Sequence, residues 1–335
     1  MNKLSKARNQ CCLVIAGLIC FSAYPLVVQA DEFAKAVVKE KVVIQVPWGG
    51  GKGEIGEIPG RLEGTPGESI NPIAVDSKGN IYVADSVNYR VAKYDFSGKY
   101  LTDINLKHFD EWPIKIIPDI FVDGKDNMYI AILRKQQIAK FSPDGALLSI
   151  LSIRNAGVLE KDSKGTVKLN VKSVFNVNRI VVDKSENVYV LGSEDNVLKL
   201  DTKGNIIQRW GPYASNARHF LFVDEKGSLY VWMPPKQDGN MYKRYDISGK
   251  FEGGGLGVFG QAIEPYYADS NGNVYGFTIN NGFLAGYNHT SQRMFKFPLK
   301  EEDLAFERWT VDSAGNIYYT REGGQFEVVR LSVMK

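Results

Sequence analysis

Val75-Asp76-Ser77-Lys78-Gly79-Asn80-Ile81-Tyr82 reads as the end of an apolar run, an aspartate, a short turn, and an apolar residue followed by tyrosine. The pattern returns at Asp123, Asp183, Asp224, Asp269 and Asp312, with Tyr129, Tyr189, Tyr230, Tyr275 and Tyr318 in the place of Tyr82. Successive aspartates are 41 to 47 residues apart except for one interval of 60. A period of that length belongs to a propeller blade or to a helical solenoid. The flanking runs decide between them: Arg179-Ile180-Val181-Val182, Phe220-Leu221-Phe222-Val223 and Asn187-Val188-Tyr189-Val190 are short, β-branched or aromatic, and bounded by Asp, Gly and Asn. Such runs are strands joined by a hairpin. Gly79, Gly227, Gly272 and Gly315 supply the positive φ that closes the turn, and Asp126 and Glu186 stand there in the second and third copies.

A second turn follows within each copy: Tyr94-Asp95-Phe96-Ser97-Gly98, Phe141-Ser142-Pro143-Asp144-Gly145, Leu200-Asp201-Thr202-Lys203-Gly204 and Tyr245-Asp246-Ile247-Ser248-Gly249, with Tyr287-Asn288-His289-Thr290-Ser291 a weaker fifth. Two hairpins make four strands, so the chain is expected to be all-β, a six-bladed β-propeller with four-stranded blades. The sixth copy, ending near Leu331-Ser332, supplies three strands, and Lys41 to Val46 is a strand with no hairpin of its own. The expectation is that residues 41–46 pair with the last blade and close the ring.

Residues 70 to 101 resemble the NHL-repeat six-bladed propellers through Asn71-Pro72, Asp76-Ser77-Lys78-Gly79-Asn80, Tyr82-Val83-Ala84-Asp85, Asn88-Tyr89-Arg90-Val91 and Tyr94-Asp95. Later copies match less fully. The resemblance implies the fold and leaves the activity open, because related propellers serve as scaffolds, ligand binders, lactonases and lyases.

Residues 1–30 carry Lys3, Lys6 and Arg8, then an apolar stretch broken at Pro25, then Val28-Gln29-Ala30. That order is a cleaved secretory signal peptide, with residues 31–335 as a single exported domain, periplasmic or extracellular and without a transmembrane span after cleavage. Cys11, Cys12 and Cys20 all lie in the removed segment, which excludes disulfides, thiolate metal sites and cysteine nucleophiles from the remainder. Ile19 before Cys20 is unlike the small residue that a lipidation site wants. Of 41 Lys plus Arg and 38 Asp plus Glu, the three basic residues in excess are those of the first thirty, so the remainder is balanced and offers no footprint for nucleic acid.

The start of each first strand and the loop after each second strand open on one face around the channel. The residues expected there are Asn71 and Pro72, Pro118 and Asp119, Asn178 and Arg179, His219 and Phe220, Glu264 and Pro265, and Glu307 and Arg308. Asn71, Asp119, Asn178, Arg179, His219, Glu264, Glu307 and Arg308 form the candidate ligand site, either a self-neutralising polar plug or a pocket. Asn71, Asp119, Asn178, Glu264 and Glu307 are hard oxygen donors suited to calcium, while Arg179 and Arg308 beside them oppose a dication. No metal or other cofactor is therefore assigned, and His108, His219 and His289 are too scattered for a zinc triad. The interval of 60 is explained by an inserted hairpin at about residues 154–176, a lid or an edge cover. Phe109, Trp112, Trp210, Tyr213, Trp232 and Phe259 in or near connections offer a binding surface if several share a face and packing if they do not. Gly51-Lys52-Gly53-Glu54-Ile55-Gly56 spells a dinucleotide fingerprint, but Pro59 and Gly60 forbid the helix it needs, and the segment reads as a flexible crossing.

The sequence thus favours a non-enzymatic exported propeller that binds a protein, a glycan or a small anion on the entrance face. The alternative is a calcium-dependent lactonase-like or lyase-like hydrolase using the same oxygens.

Overall fold

The computed structural model describes residues 34–35, 37–57, 71–109, 116–132, 135–153, 156–164, 166–172, 175–193, 196–211, 221–223, 227–232, 242–255, 263–268, 273–278, 283–288, 293–300, 309–312 and 314–334. Residues 1–30, expected to be a signal peptide, lie outside them.

Among these residues the strands form six sheets, each built on four antiparallel strands, and one two-stranded hairpin. The first sheet is Ile73–Val75, Ile81–Asp85, Arg90–Tyr94 and Tyr100–Asn105. The second is Ile120–Val122, Met128–Ile132, Gln137–Phe141 and Leu147–Ser152. The third is Val177–Val182, Val188–Gly192, Asn196–Leu200 and Ile206–Trp210. Leu221–Val223, Leu229–Trp232, Tyr242–Tyr245 and Phe251–Gly255 make the fourth, and Ile263–Ala268, Asn273–Thr278, Phe283–Asn288 and Arg293–Lys300 the fifth. The sixth takes Trp309–Val311, Ile317–Glu322 and Phe326–Met334 from the C-terminal end and Val37–Val46 from the N-terminal end.

The N-terminal strand is longer than residues 41–46. It pairs antiparallel with Phe326–Met334 from Val37↔Met334 to Val46↔Phe326, with a bulge between Val42 and Ile44. Ala34–Lys35 then adds a parallel edge to the fifth sheet at Phe295 and Lys296.

First strands neighbour one another in chain order, and Trp309–Val311 of the sixth sheet lies beside Ile73–Val75 of the first. In the first three sheets the second strand is buried on both faces, which is why it reads as an unbroken apolar run rather than an alternating one. Met128, Ile130 and Ile132 pack toward Ala84, Val91 and Ile104 of the first sheet, while Tyr129 and Ala131 pack toward Ile180, Val188 and Val190 of the third. Val43, Ile44, Phe326 and Val328 of the sixth sheet pack with Ile81, Val83 and Tyr94 of the first.

Candidate functional site

The repeated aspartate is a turn anchor, and its oxygens are consumed by its own turn. Asp76 Oδ1 accepts the N–H groups of Lys78 and Asn80 at 3.0 and 2.8 Å, and Oδ2 accepts Asn80 Nδ2 at 2.8 Å and the Tyr82 hydroxyl at 3.1 Å. The same four-bond pattern holds Asp123 with Asn127 and Tyr129, Asp183 with Asn187 and Tyr189, and Asp312 with Asn316 and Tyr318. Burial and the adjoining carboxylate push Tyr82, Tyr129 and Tyr318 up, the last to about 12. Lys93, Lys140 and Lys199 sit over the rings of Tyr82, Tyr129 and Tyr189 at 4.9, 5.2 and 5.1 Å from the centroids. The anchors Asp224 and Asp269 lie outside the described residues. Asp126 and Glu186 adopt the positive φ required of their position, 63° and 62°.

Glu186 adds a clamp between sheets, pairing with Lys125 and Lys140 of the second sheet. The hydrogen bonds from Lys125 and then Lys140 hold its carboxyl at about 2 against an ordinary 4.5. A depressed folded-state value stabilises above the unfolded value and is lost as pH falls through the folded one. Glu186→Gln, which keeps the turn, is therefore expected to cost about 1 kcal/mol at pH 7. The gap in melting temperature between the two proteins should narrow below pH 4.5 and vanish near pH 2, and a gap independent of pH would refute the clamp.

All of this occupies the face that carries the turns from first to second and from third to fourth strand of each sheet. On the opposite face stand the described members of the predicted entrance, Asn71, Asp119, Asn178 and Arg179. Asn71 and Asp119 are buried, and Asn178 and Arg179 are half-buried at the start of Val177–Val182, where the register shifts between Val177 and Arg179. These four come from three neighbouring first strands or their approaches. Asp119 Oδ2 accepts the Ile180 N–H at 2.9 Å, tying the second sheet to the third, and its carbonyl accepts the Ala131 N–H at 3.0 Å. Its carboxylate is thus partly committed to inter-sheet structure. Glu264 is placed only by its backbone, in Ile263–Ala268. His219, Glu307 and Arg308 lie outside the described residues. Among the described residues no three His, Cys, Asp or Glu side chains are grouped to hold a metal ion.

Over its described residues, 49–57, the glycine segment before the first sheet is held by side chains of that sheet and is not the expected flexible crossing. Asp85 and Arg90 pair at 3.0 Å, and Arg90 also pairs with Asp103 at 3.0 Å. Arg90 Nη2 donates to the carbonyls of Gly51 and Glu54 at 2.8 and 2.7 Å, Asn88 Nδ2 to that of Gly49 at 2.8 Å, and the Tyr94 hydroxyl to that of Gly53 at 3.2 Å. Asp85 Oδ1 accepts the Gly56 N–H at 3.1 Å, and Ile55 is fully buried beside Ile44. The NHL-like Asp85, Asn88 and Arg90 are therefore the receptor for the loop that follows the N-terminal strand.

The inserted hairpin is Val158–Lys161 with Val167–Asn170, inside the predicted 154–176 and forming its own sheet. It joins the last strand of the second sheet to the first strand of the third, so connectivity places it on the entrance side. Two tethers hold it there. The Asn196 side chain accepts the Leu159 N–H at 2.8 Å and donates to the Leu159 carbonyl at 3.1 Å, and Ser193 and Asn176 exchange bonds at 2.8 and 3.0 Å. Val158 is buried, whereas Val167, Leu169 and Val171 are 44%, 45% and 61% exposed. Asn196 carries no chemical motif, and its tethering role was invisible in the sequence. The alternation Val167, Leu169, Val171 was the available signal.

Phe109 and Trp210 are packing residues: Phe109 meets Phe141 edge-on at 6.1 Å, and Trp210 stacks on Tyr189 at 6.1 Å. His108 belongs to the short 3-10 turn Lys107–Phe109. Trp112, Tyr213, Phe259 and His289 lie outside the described residues, as does the Trp232 side chain. Among the described residues no helix is long and apolar enough to cross a membrane.

Comparison with known proteins agrees with this architecture. Residues 69–94 match the NHL repeat. No curated protein matches the chain by sequence. A streptogramin B lyase superposes with a TM-score of 0.52 at 10% identity, covering 89% of this chain and 98% of that one. Virginiamycin B lyase from Staphylococcus aureus gives 0.51 at 9%, covering 90% and 100%. A protein from Bacteroides fragilis gives 0.50 at 8%, covering 91% and 98%. At these identities the likeness concerns the fold: the chain is an all-β propeller with an NHL repeat.

Proposed function

We propose that this chain is an exported six-bladed propeller, its ring closed by the N-terminal strand, that binds another protein on its entrance face without catalysing a reaction. The observation that carries the binding role is the inserted hairpin, tethered by Asn196 on the entrance side while exposing Val167, Leu169 and Val171. Exposed apolar residues gathered on a structured insertion mark an interaction surface, and insertions on a repeated frame are where function concentrates. The ring is supported by the chain-order succession of neighbouring first strands and by the pairing of Val37–Val46 with Phe326–Met334. Export rests on the signal-like order of residues 1–30. Asn178 and Arg179, at the foot of the hairpin, extend the surface toward the channel. A glycan or small anion would meet the same Arg179.

The test replaces residues 160–168 by two glycines, leaving buried Val158 in place. Partners retained from the exported fraction of the source cells by residues 31–335 are expected to be lost with the shortened chain, whose melting temperature should fall by less than about 2 °C. Full retention of the same partners would contradict the reading. So would calcium-dependent turnover of lactones or other esters that Asp119→Asn abolishes. That result would establish the hydrolase, with Asn71, Asp119 and Asn178 as its oxygen donors.

A further inference from the structure

The hairpin has two edges with opposite fates. Val158↔Asn170, Leu159↔Leu169, Glu160↔Lys168 and Lys161↔Val167 are the opposed pairs. In an antiparallel pair, opposed residues alternately exchange both hydrogen bonds or point both sets of backbone groups outward. Two observations fix the phase. The Asp162 N–H donates to the Thr166 carbonyl at 3.0 Å, and both backbone groups of Leu159 are turned out to the Asn196 side chain. Leu159↔Leu169 and Lys161↔Val167 are accordingly outward-facing pairs. On one edge the Asn196 amide stands in for a third strand. On the other, the N–H and C=O groups of Val167 and Leu169 face away from the hairpin, and among the described residues no strand pairs with them.

We infer that this edge of Val167–Asn170 receives an extended segment of a partner protein, as an added strand carrying acidic residues alternating with apolar ones. The inference rests on the protein-binding reading above and specifies its mode. A ribbon of two strands is marginal alone, and a third strand satisfies its outward backbone groups. The chemistry of the occupant follows from charge. Thr166 to Lys172 contains Lys168 and Lys172 and no acid, and the Lys168 side chain is 72% exposed. Its bridge to Asp162 at 3.1 Å is a surface pair of small worth that a partner carboxylate can replace. A second copy of the same edge would set lysine near lysine, which disfavours self-pairing. The exposed side chains of Val167, Leu169 and Val171 match apolar residues at every second position of the incoming strand.

The probes are a fluorescent octapeptide of alternating valine and glutamate, its valine–lysine counterpart, and the acidic peptide N-methylated at alternate residues on either phase. Titrated by anisotropy against residues 31–335, the acidic peptide is expected to bind at least tenfold more tightly than the basic one and than either N-methylated form that blocks the pairing edge. The double variant Lys168→Glu/Lys172→Glu, with an unchanged circular dichroism spectrum, is expected to prefer the basic peptide. The inference is overturned if no peptide binds, if both N-methylated forms bind as the parent does, or if the charge reversal leaves the acidic preference intact. Preference for anionic lipid vesicles over the acidic peptide would overturn it as well. Should the peptides fail while a captured partner still depends on the hairpin, strand addition is wrong and the binding role stands.

Discussion

Residues 47–335 are expected to melt about 6 °C below residues 31–335, or to precipitate. The missing strand, Val37–Val46, takes with it the pairing from Val37↔Met334 to Val46↔Phe326. It also removes Val43 and Ile44, both buried against the first sheet. Two such side chains contribute about 4 kcal/mol at roughly 2 kcal/mol each. Dividing by an unfolding entropy of about 2.1 cal/mol/K per residue gives the stated shift. The hydrogen bonds of the ladder come in addition, and the edge of Phe326–Met334 is laid bare for aggregation. Differential scanning calorimetry of the two chains measures the effect, and equal melting temperatures would mean that the N-terminal strand does not hold the ends together.

The second large effect is at the latch. Asp85 is fully buried, with its oxygens accepting from Gly56 N, Asn88 N, Asn88 Nδ2 and Arg90 Nε. Arg90→Met keeps most of the volume but strands that carboxylate and frees the carbonyls of Gly51 and Glu54. Breaking a buried ion pair from one side costs about 3–5 kcal/mol, which is a fall of about 5–8 °C for a chain of this length. Asp85→Asn should cost a similar amount, since an amide nitrogen cannot accept where the carboxylate oxygen did. The double variant should lose well under the sum, because both substitutions dissolve one network. Additive losses, measured by calorimetry on the three variants, would show that the two residues act separately.

How far the sequence could be read depends on the range of each interaction. The Asp76, Asn80 and Tyr82 network closes within seven residues, so turn chemistry alone specifies it, and the repeat that revealed the fold is the repeat of that network. The hairpin register was legible for the same reason. The start of the N-terminal strand was not, because Lys39, Glu40 and Lys41 are exposed on the outermost strand and read as polar. The latch joins residues 29 to 41 apart, and the Asp119 bond spans 61. Glycine composition suggested flexibility at Gly49 to Gly56, whereas side chains from another strand hold that backbone. At the candidate site, Asn71, Asp119, Asn178 and Arg179 fall on the expected side, but the sequence could not show that one Asp119 oxygen already serves Ile180. The hairpin was legible as an insertion, and its outward edge only from Asn196.

Hydrogen–deuterium exchange of residues 31–335, alone and with a captured partner, tests the binding account most directly. The account predicts slowed exchange at Val158 to Val171, strongest at the Val167 and Leu169 amides, extending to Val177 to Arg179. Protection confined to the opposite-face turns at Asp76, Asp123 and Asp183, with the hairpin exchanging as in the free protein, would contradict it.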